Sequence, residues 1–210
     1  VILITHKLKE VMSMSDRVTI LRRGKVTGTV KTADTNIERL AELMVGRKVN
    51  FTVVKKPQKA GKEILKVENL VAKDHRGVTA VNSLSLSVNA GEILGIAGVD
   101  GNGQSELVEV LTGLRKPVSG KVVLNGKDIT GKSSRQIMDD GISCIPEDRL
   151  KRGLILPFPL YENSILGVHN RKPFANGIIM DYKKIKDYCD RILKEFDVRA
   201  PSSSVPASSL

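Results

Sequence analysis

The sequence predicts an α/β fold organised around one strand–loop–helix unit. An apolar run, GEILGIA (91–97), leads directly into the glycine-rich GVDGNGQS (98–105). The following QSELVEVLTGL (104–114) repeats apolar residues at helical spacing, with Leu107, Val108, Leu111 and Leu114 on one face. Before this unit, EILKVENLVA (63–72) and AVNSLSLSV (80–88) alternate with the two-residue period of half-exposed strands.

From the start of the chain, VILIT (1–5) is β-branched and apolar, the pattern of a buried central strand. HKLKEVMSMS (6–15) places Leu8, Val11, Met12 and Ser15 at helical spacing. RVTILRRGKVTGTV (17–30) reads as two strands around a turn at Arg23-Gly24. NIERLAELMVG (36–46) is an amphipathic helix with Asn36 as N-cap and Gly46 as its stop. A basic stretch with Pro57 and Gly61 follows, and it sets the expected division: residues 1–48, a linker over 49–62, and a second unit over 63–210. Within that unit, GEILGIA is a buried strand and GKVVLNGKDI (120–129) a strand and turn. SSRQIMDDG (133–141) is a capped helix, ISCIPEDR (142–149) a strand ending in a charged loop, and DYKKIKDYCDRILKEFDV (181–198) a long helix. The last helix carries Ile185, Tyr188, Cys189, Ile192 and Phe196 on one face.

Composition narrows the function classes. With 40% hydrophobic and 27% charged residues the chain can pack a core. Aromatic residues are 3% and Trp is absent, which argues against an aromatic sugar cleft or a stacking platform for single-stranded nucleic acid. The net charge of +11 is spread along the chain without a nucleic-acid motif, so no nucleic-acid partner is expected. The bland reading of that excess is solvated surface, or attraction to acidic lipid headgroups or nucleotides. Cys144 and Cys189 lack metal-ligand spacing and read as reduced structural thiols. No apolar run has the length of a membrane-spanning helix. The abrupt opening on VILITHKL and the Ser/Pro-rich close read as a piece of a longer protein.

The chemistry concentrates in the glycine loop. The phosphate-loop pattern is G-x-x-x-x-G-K-[ST] between a strand and a helix. Gly98, Gly103 and Ser105 match it, Gly101 adds a further glycine, and Asp100 and Asn102 complete the turn. Such glycines turn backbone N–H groups inward as a nest for anionic oxygens, and the following helix adds its positive end. Ser105 is the candidate Mg²⁺ ligand. The lysine position holds Gln104, which offers a neutral amide donor in place of a full charge, and Glu106 adds negative charge beside it. Weak nucleotide binding and little γ-phosphate cleavage are the expected consequences. The competing reading is a strand-to-helix turn that merely needs glycine.

VNSLSLSVNAGEILGIAGVDGNGQSELVEVLTGLRKPVSGKVVLNGKDI resembles the first part of an ABC-transporter nucleotide-binding domain, a P-loop NTPase. GISCIPEDRLKRGLILPFPLYENSILG is similar to its Q-loop and the start of its helical subdomain. The resemblance implies an incomplete ABC-type domain with an antiparallel β subdomain. In most members a Gln of that loop contacts Mg²⁺ and the membrane subunit. Here P-E-D-R puts Glu147 in the loop, or else Glu147 forms a surface ion pair with Arg149. With G-V-D-G-N-G-Q-S-E, this resembles the second half of tandem ATPases that drive bacterial simple-sugar and nucleoside importers. ITHKLKEVMSMSDRVTILRRGKVTG is similar to the switch-histidine segment that closes a first such domain, which makes His6 the residue implied to contact a γ-phosphate. The adenine-stacking aromatic is missing near residues 73–78, and its place falls to His75 or Arg76. The signature motif, the Walker B Asp, the catalytic Glu and a second switch His are implied to lie beyond Leu210.

The resemblance therefore implies ATP and Mg²⁺ as cofactors. It implies two transmembrane permease subunits and the other nucleotide-binding half as direct partners, with a substrate-binding protein as an indirect one. The place is the cytoplasmic face of the plasma membrane, held peripherally. The intact protein is expected to be a transport-coupled ATPase and this piece alone to be inactive. Two other classes stay open at this stage: a non-transport ABC ATPase acting on nucleic acid or ribosomes, and a structural partner that binds no nucleotide. The apolar residues Leu154, Leu156, Phe158 and Leu160 are expected to face the permease, or else to complete a local core.

Overall fold

A computed structural model describes residues 1–48 and 58–210; most of the expected linker, residues 49–57, lies outside the described residues. The chain divides into two compact units, Val1–Pro57 and Gln58–Leu210.

In the first unit, α1 (Leu8–Met14) precedes a hairpin of β1 (Arg17–Arg22) and β2 (Lys25–Lys31), and α2 (Ile37–Val45) covers it. Arg23 and Gly24, at φ 50° and 74°, make the tight turn with the positive dihedrals that match strand twist. Asn36 Oδ1 accepts from Arg39 N at 2.8 Å and so caps α2, and Gly46 ends it in the left-handed region. Val11, Ile20 and Leu40 form the core, with Leu8, Met12, Val18, Val30, Leu43 and Met44 packed against it. VILIT is not a strand: residues 1–5 have no ladder, and Ile2 and Ile4 are exposed.

The second unit is built on an antiparallel sheet of β3 (Glu63–Lys73), β4 (Thr79–Asn89), β5 (Ser119–Leu124) and β6 (Lys127–Asp128), in the order β4-β3-β5-β6. Strict alternation along β3 would put Val67, Asn69 and Val71 on one face. A bulge with Asn69 at φ 46° resets the phase, so Val67, Leu70 and Ala72 are the buried set. Gly120 at the start of β5 has φ 95°, and a Cβ there would lie 2.5 Å from the Asn69 carbonyl oxygen. Glycine thus lets β5 close on the bulge.

Onto this sheet packs α3 (Gln104–Leu111), whose Leu107 and Val110 join Val81, Val122, Leu124 and Ile129 in the core. The buried face of α3 is Leu107, Val110 and Leu111; Val108 and Leu114, expected on it, are exposed. The helix has apolar residues around more of its circumference than this sheet covers. α4 (Ser134–Asp139) starts on a reciprocal cap between Ser133 and Gln136 and buries Ile137.

Two further expected strands are absent. Residues 91–97 and 142–146 lie in no ladder among the described residues, and Ile93, Leu94, Ile96 and Ile145 are exposed. An apolar run states what it would bury. It becomes a strand only when another segment offers N–H and C=O partners, and neither β4 nor β6 does so here. A single π-type turn spans Arg149–Gly153.

The remainder is a small helical region of α5 (Leu160–Asn163), the hairpin β7 (Ala175–Asn176) and β8 (Ile179–Met180), and α6 (Tyr182–Glu195). Asp181 caps α6, whose Ile185 and Cys189 are fully buried, while Phe196 is exposed. The Ser/Pro-rich last segment docks against residues 156–161: Leu160 N donates to Val205 O at 3.0 Å, and Ala207 N to Phe158 O at 3.0 Å. Leu160 is buried there with Cys189 and Ala207, and Leu154 packs against them. Half of the expected partner-facing patch is therefore local core, and Phe158 is its exposed member.

Candidate functional site

The glycine loop and the β3–β4 hairpin meet through Gly103. This residue caps α3 at φ 92°, where a Cβ would collide with the Ala80 carbonyl oxygen and lie 3.3 Å from Val81 Cγ2. Only glycine seats the helix start on the first residues of β4. Across the loop, Gln104 folds back on itself: its Nε2 donates to Val99 O at 3.2 Å, and Asn102 Nδ2 donates to the same oxygen at 2.9 Å. A Cβ on Gly98 would overlap the Gln104 amide, whereas around Gly101 nothing lies within 4 Å of one. One side of the loop is thus closed by Gln104 and the other stands open. Asp100, Gly101, Asn102 and Ser105 are exposed, and Glu106 is half-buried.

The first backbone N–H groups of α3 have no acceptor within the helix, and they carry its partial positive charge. A phosphate oxygen at this helix start would meet backbone amides and, at position 104, a neutral carboxamide in place of an ammonium group.

His75 and Arg76 occupy the tight β3–β4 turn. The Asp74 carboxylate accepts from Arg76 N at 2.8 Å, Val78 N at 2.9 Å and Arg76 Nε at 2.9 Å. Desolvation pushes that carboxyl up, but the hydrogen bonds from Val78 and Arg76 outweigh it and hold it below its ordinary value. Arg76 is thereby paired with Asp74, although 71% exposed, and His75 beside it is exposed too.

A cluster around Glu109 ties the loop helix to both neighbouring segments. Arg115 Nη2 lies 2.7 Å from Glu109 Oε2, and Arg115 Nη1 donates to Lys73 O at 2.5 Å, just before the hairpin turn. Arg152, in the π-type turn, donates to Glu109 Oε1 at 2.8 Å. The hydrogen bond from Arg152 and that from Arg115 hold the Glu109 carboxyl below its ordinary value, against the opposing effect of burial. Sequence reasoning missed this cluster, because neither a helix nor a strand period links residues 73, 109, 115 and 152.

Glu147 is exposed and lies just before the π-type turn, which Asp148 caps by accepting from Lys151 N at 3.0 Å. Among the described residues the ion pairs of this segment are Asp148–Lys151 and Glu109–Arg152, and Glu147 and Arg149 do not pair. Among the described residues no group of three or more His, Cys, Asp or Glu side chains could hold a metal ion. An Mg²⁺ ion at Ser105 would therefore take most of its oxygen ligands from phosphate and water, as Mg²⁺ commonly does. His6 is exposed at the turn before α1, in the first unit.

Fold and loop together define a P-loop nucleotide-binding domain of the ATP-binding-cassette type. Residues 81–206 match the family model described as ABC transporter, and the chain belongs to that family. It is 44% identical over 210 residues to a nucleoside import ATP-binding protein, NupA, of Lactococcus lactis, covering 100% of this chain and 42% of that protein. It is 49% identical over 199 residues to a guanosine import ATP-binding protein, NupO, of Bacillus subtilis, covering 93% of this chain and 38% of that one. The chain thus spans about two-fifths of the length of these curated relatives. A crystal structure of a nucleotide-free ATP-binding cassette from an ABC transporter superposes with a TM-score of 0.54 at 26% identity, over 71% of this chain and 59% of that one. Among the described residues no helix is long and apolar enough to cross a membrane.

Proposed function

We propose that the protein is the ATP-binding, energy-coupling subunit of an importer for nucleosides or simple sugars, and that the loop at residues 98–106 is a weakened nucleotide site. One observation supports this reading: the loop leaves open space around Gly101 beside the start of α3 while Gln104, in the lysine position, lies on Val99 O. ATP, when bound, supplies the triphosphate whose binding and cleavage power closure. This chain's part is to cradle it: backbone N–H groups of Gly101 to Gln104 bind phosphate oxygens, Ser105 orients the ion, and His75 lies against the base. Glu147, in the segment similar to the family's Q-loop, is assigned the role of reporting the nucleotide to a membrane subunit. The likeness to nucleoside and guanosine import proteins supports the substrate class. Two transmembrane permease subunits, a second nucleotide-binding half and, indirectly, a substrate-binding protein complete the assembly at the cytoplasmic face of the membrane. His6 serves the other nucleotide site as its switch histidine.

The test is calorimetric titration of Mg·ATP. Gln104→Lys restores one charge-assisted contact and tightens binding about tenfold. Glu106→Thr removes a nearby negative charge and adds to the gain. If neither substitution changes the affinity, the loop is not shaped for phosphate, and the reading fails.

A further inference from the structure

The β7–β8 hairpin carries its most apolar residues where its own fold has no use for them. Its ladder pairs Ala175 with Met180 and Asn176 with Ile179, leaving Gly177 and Ile178 as the turn. Turn apices favour small polar residues, yet Ile178 is 100% exposed and Ile179 74% exposed. The base beneath them is fixed. Phe174 and Ala175 are buried, Met180 packs against the Ile165–Phe174–Ile185 cluster, and Asp181 N donates to Phe174 O at 2.8 Å. A rigid stem therefore holds an apolar tip in solvent.

The surroundings of that tip are strongly basic. Between residues 171 and 186 the chain sets Arg171, Lys172, Lys183, Lys184 and Lys186 against Asp181 alone. Three of these cations are engaged: Arg171 with Asp139, Lys184 with Asp181 at 2.9 Å, and Lys186 over the Tyr161 ring at 5.1 Å. Lys172 and Lys183 are exposed and form no ion pair among the described residues. Beside the stem opens a cleft of about 490 Å³, lined among others by Lys172, Pro173, Asn176 and Lys184. Tyr182, half-exposed, adds an amphipathic ring of the type favoured at a water–lipid boundary.

We propose that this hairpin is a membrane-surface contact. Ile178 and Ile179 enter the boundary between headgroups and acyl chains, and Lys172 and Lys183 engage anionic headgroups. Convex apolar apex, flanking tyrosine and exposed lysines match a fluid anionic layer, which needs no complementary pocket. An acidic protein partner would need a socket shaped to two adjacent isoleucines. The contact is independent of the nucleotide reading, since no ATP takes part in it.

Vesicle flotation of the full chain tests it, comparing phosphatidylcholine vesicles with phosphatidylcholine–phosphatidylglycerol vesicles. The chain is expected to float with the anionic vesicles and not with the neutral ones. Each lysine near an anionic surface is worth about fivefold in partitioning, so the double variant Lys172→Glu, Lys183→Glu loses about 25-fold or more. Ile178→Ser with Ile179→Ser loses about tenfold with melting unchanged, because the tip is exposed. Lys25→Glu with Lys31→Glu, in the hairpin of the first unit, removes the same charge and changes partitioning by less than about twofold. No flotation of the unaltered chain, equal losses from the two lysine pairs, or indifference to the isoleucine pair overturns the proposal. So does polyglutamate capture that depends on the isoleucines in the same way as vesicle binding.

Discussion

Glu109→Gln measures what holds the glycine-loop helix to its neighbours. Glu109 is 15% exposed and Arg115 24%, so their pair is largely out of water. Gln keeps the shape and removes the charge. A hydrogen bond to a charged group contributes about 1.5–3 kcal/mol, and residual screening at this depth argues for the lower part of that range, about 1.5–2 kcal/mol. Arg152 also holds the carboxylate, at 2.8 Å, but its guanidinium is 59% exposed and solvent screens that pair. For a unit the length of Gln58–Leu210, each kcal/mol moves the melting temperature by about 2–4 °C, which gives a loss of about 3–8 °C at neutral pH. The pH dependence gives a second readout. Arg152 and Arg115 depress the folded-state pKa of Glu109 below its ordinary 4.5. A depressed carboxyl stabilises fully above the unfolded value and loses that contribution as pH falls through the folded value. The gap in melting temperature between the parent and Glu109→Gln is therefore flat from neutrality down to about pH 5 and closes below it. Circular dichroism melts across that range decide the matter. Identical melting at pH 7, or a gap undiminished in acid, would refute the role given to the cluster.

Other outcomes follow from single contacts. The chain by itself will release no phosphate from ATP above background, because neutral Gln104 cannot offset charge developing on a transferred phosphoryl group; turnover that survives repurification and disappears in Ser105→Ala contradicts this. Gly103→Ala forces a Cβ onto the Ala80 carbonyl at a left-handed backbone position. It will cost more than about 1 kcal/mol in chemical denaturation, and an unchanged midpoint would mean the loop does not seat on β4 as described. Cys144 is exposed and will react quickly with a maleimide, whereas Cys189 is buried, its thiol pushed up by desolvation, and will react only on unfolding; mass spectrometry of the native protein separates the two. In the intact transporter, cysteine at the exposed Phe158 is expected to crosslink to the permease with a yield that changes with ATP, while crosslinks confined to the other nucleotide-binding half would show that the wrong face was assigned.

Elements closed by their own residues were legible in the sequence, and elements closed by partners were not. Asn36 and Gly46 bound α2 because caps act within a few residues. Ser133 and Gln136 begin α4 for the same reason. Arg23-Gly24 makes its hairpin because two positive dihedrals are a local requirement. VILIT, GEILGIA and ISCIP carry equally clear patterns, yet lie in no ladder, since hydrogen-bond partners for a strand are a non-local matter. The same distinction explains α3: periodicity marked Val108 and Leu114 as apolar, but the sheet beneath the helix is wide enough only for Leu107, Val110 and Leu111.

The candidate site divides along that line too. Its glycines were readable because each answers a local steric demand, and the missing lysine was readable because the loop pattern fixes its position. What Gln104 does instead depends on where its amide lands. Bound to Val99 O, it is the second donor to a loop carbonyl that Asn102 Nδ2 also reaches, at 2.9 Å. Gln104→Ala removes the carboxamide, leaves that carbonyl with Asn102 as its side-chain donor and loosens the turn. Gln104→Ala is accordingly predicted to weaken nucleotide binding beyond the parent and to lower the melting temperature slightly, whereas Gln104→Lys, whose ammonium is free to turn to phosphate, tightens binding. If alanine is as stable as glutamine in melts of the two variants, the hydrogen bond to Val99 contributes nothing to the loop, and the open face seen around Gly101 owes its shape to the glycines only.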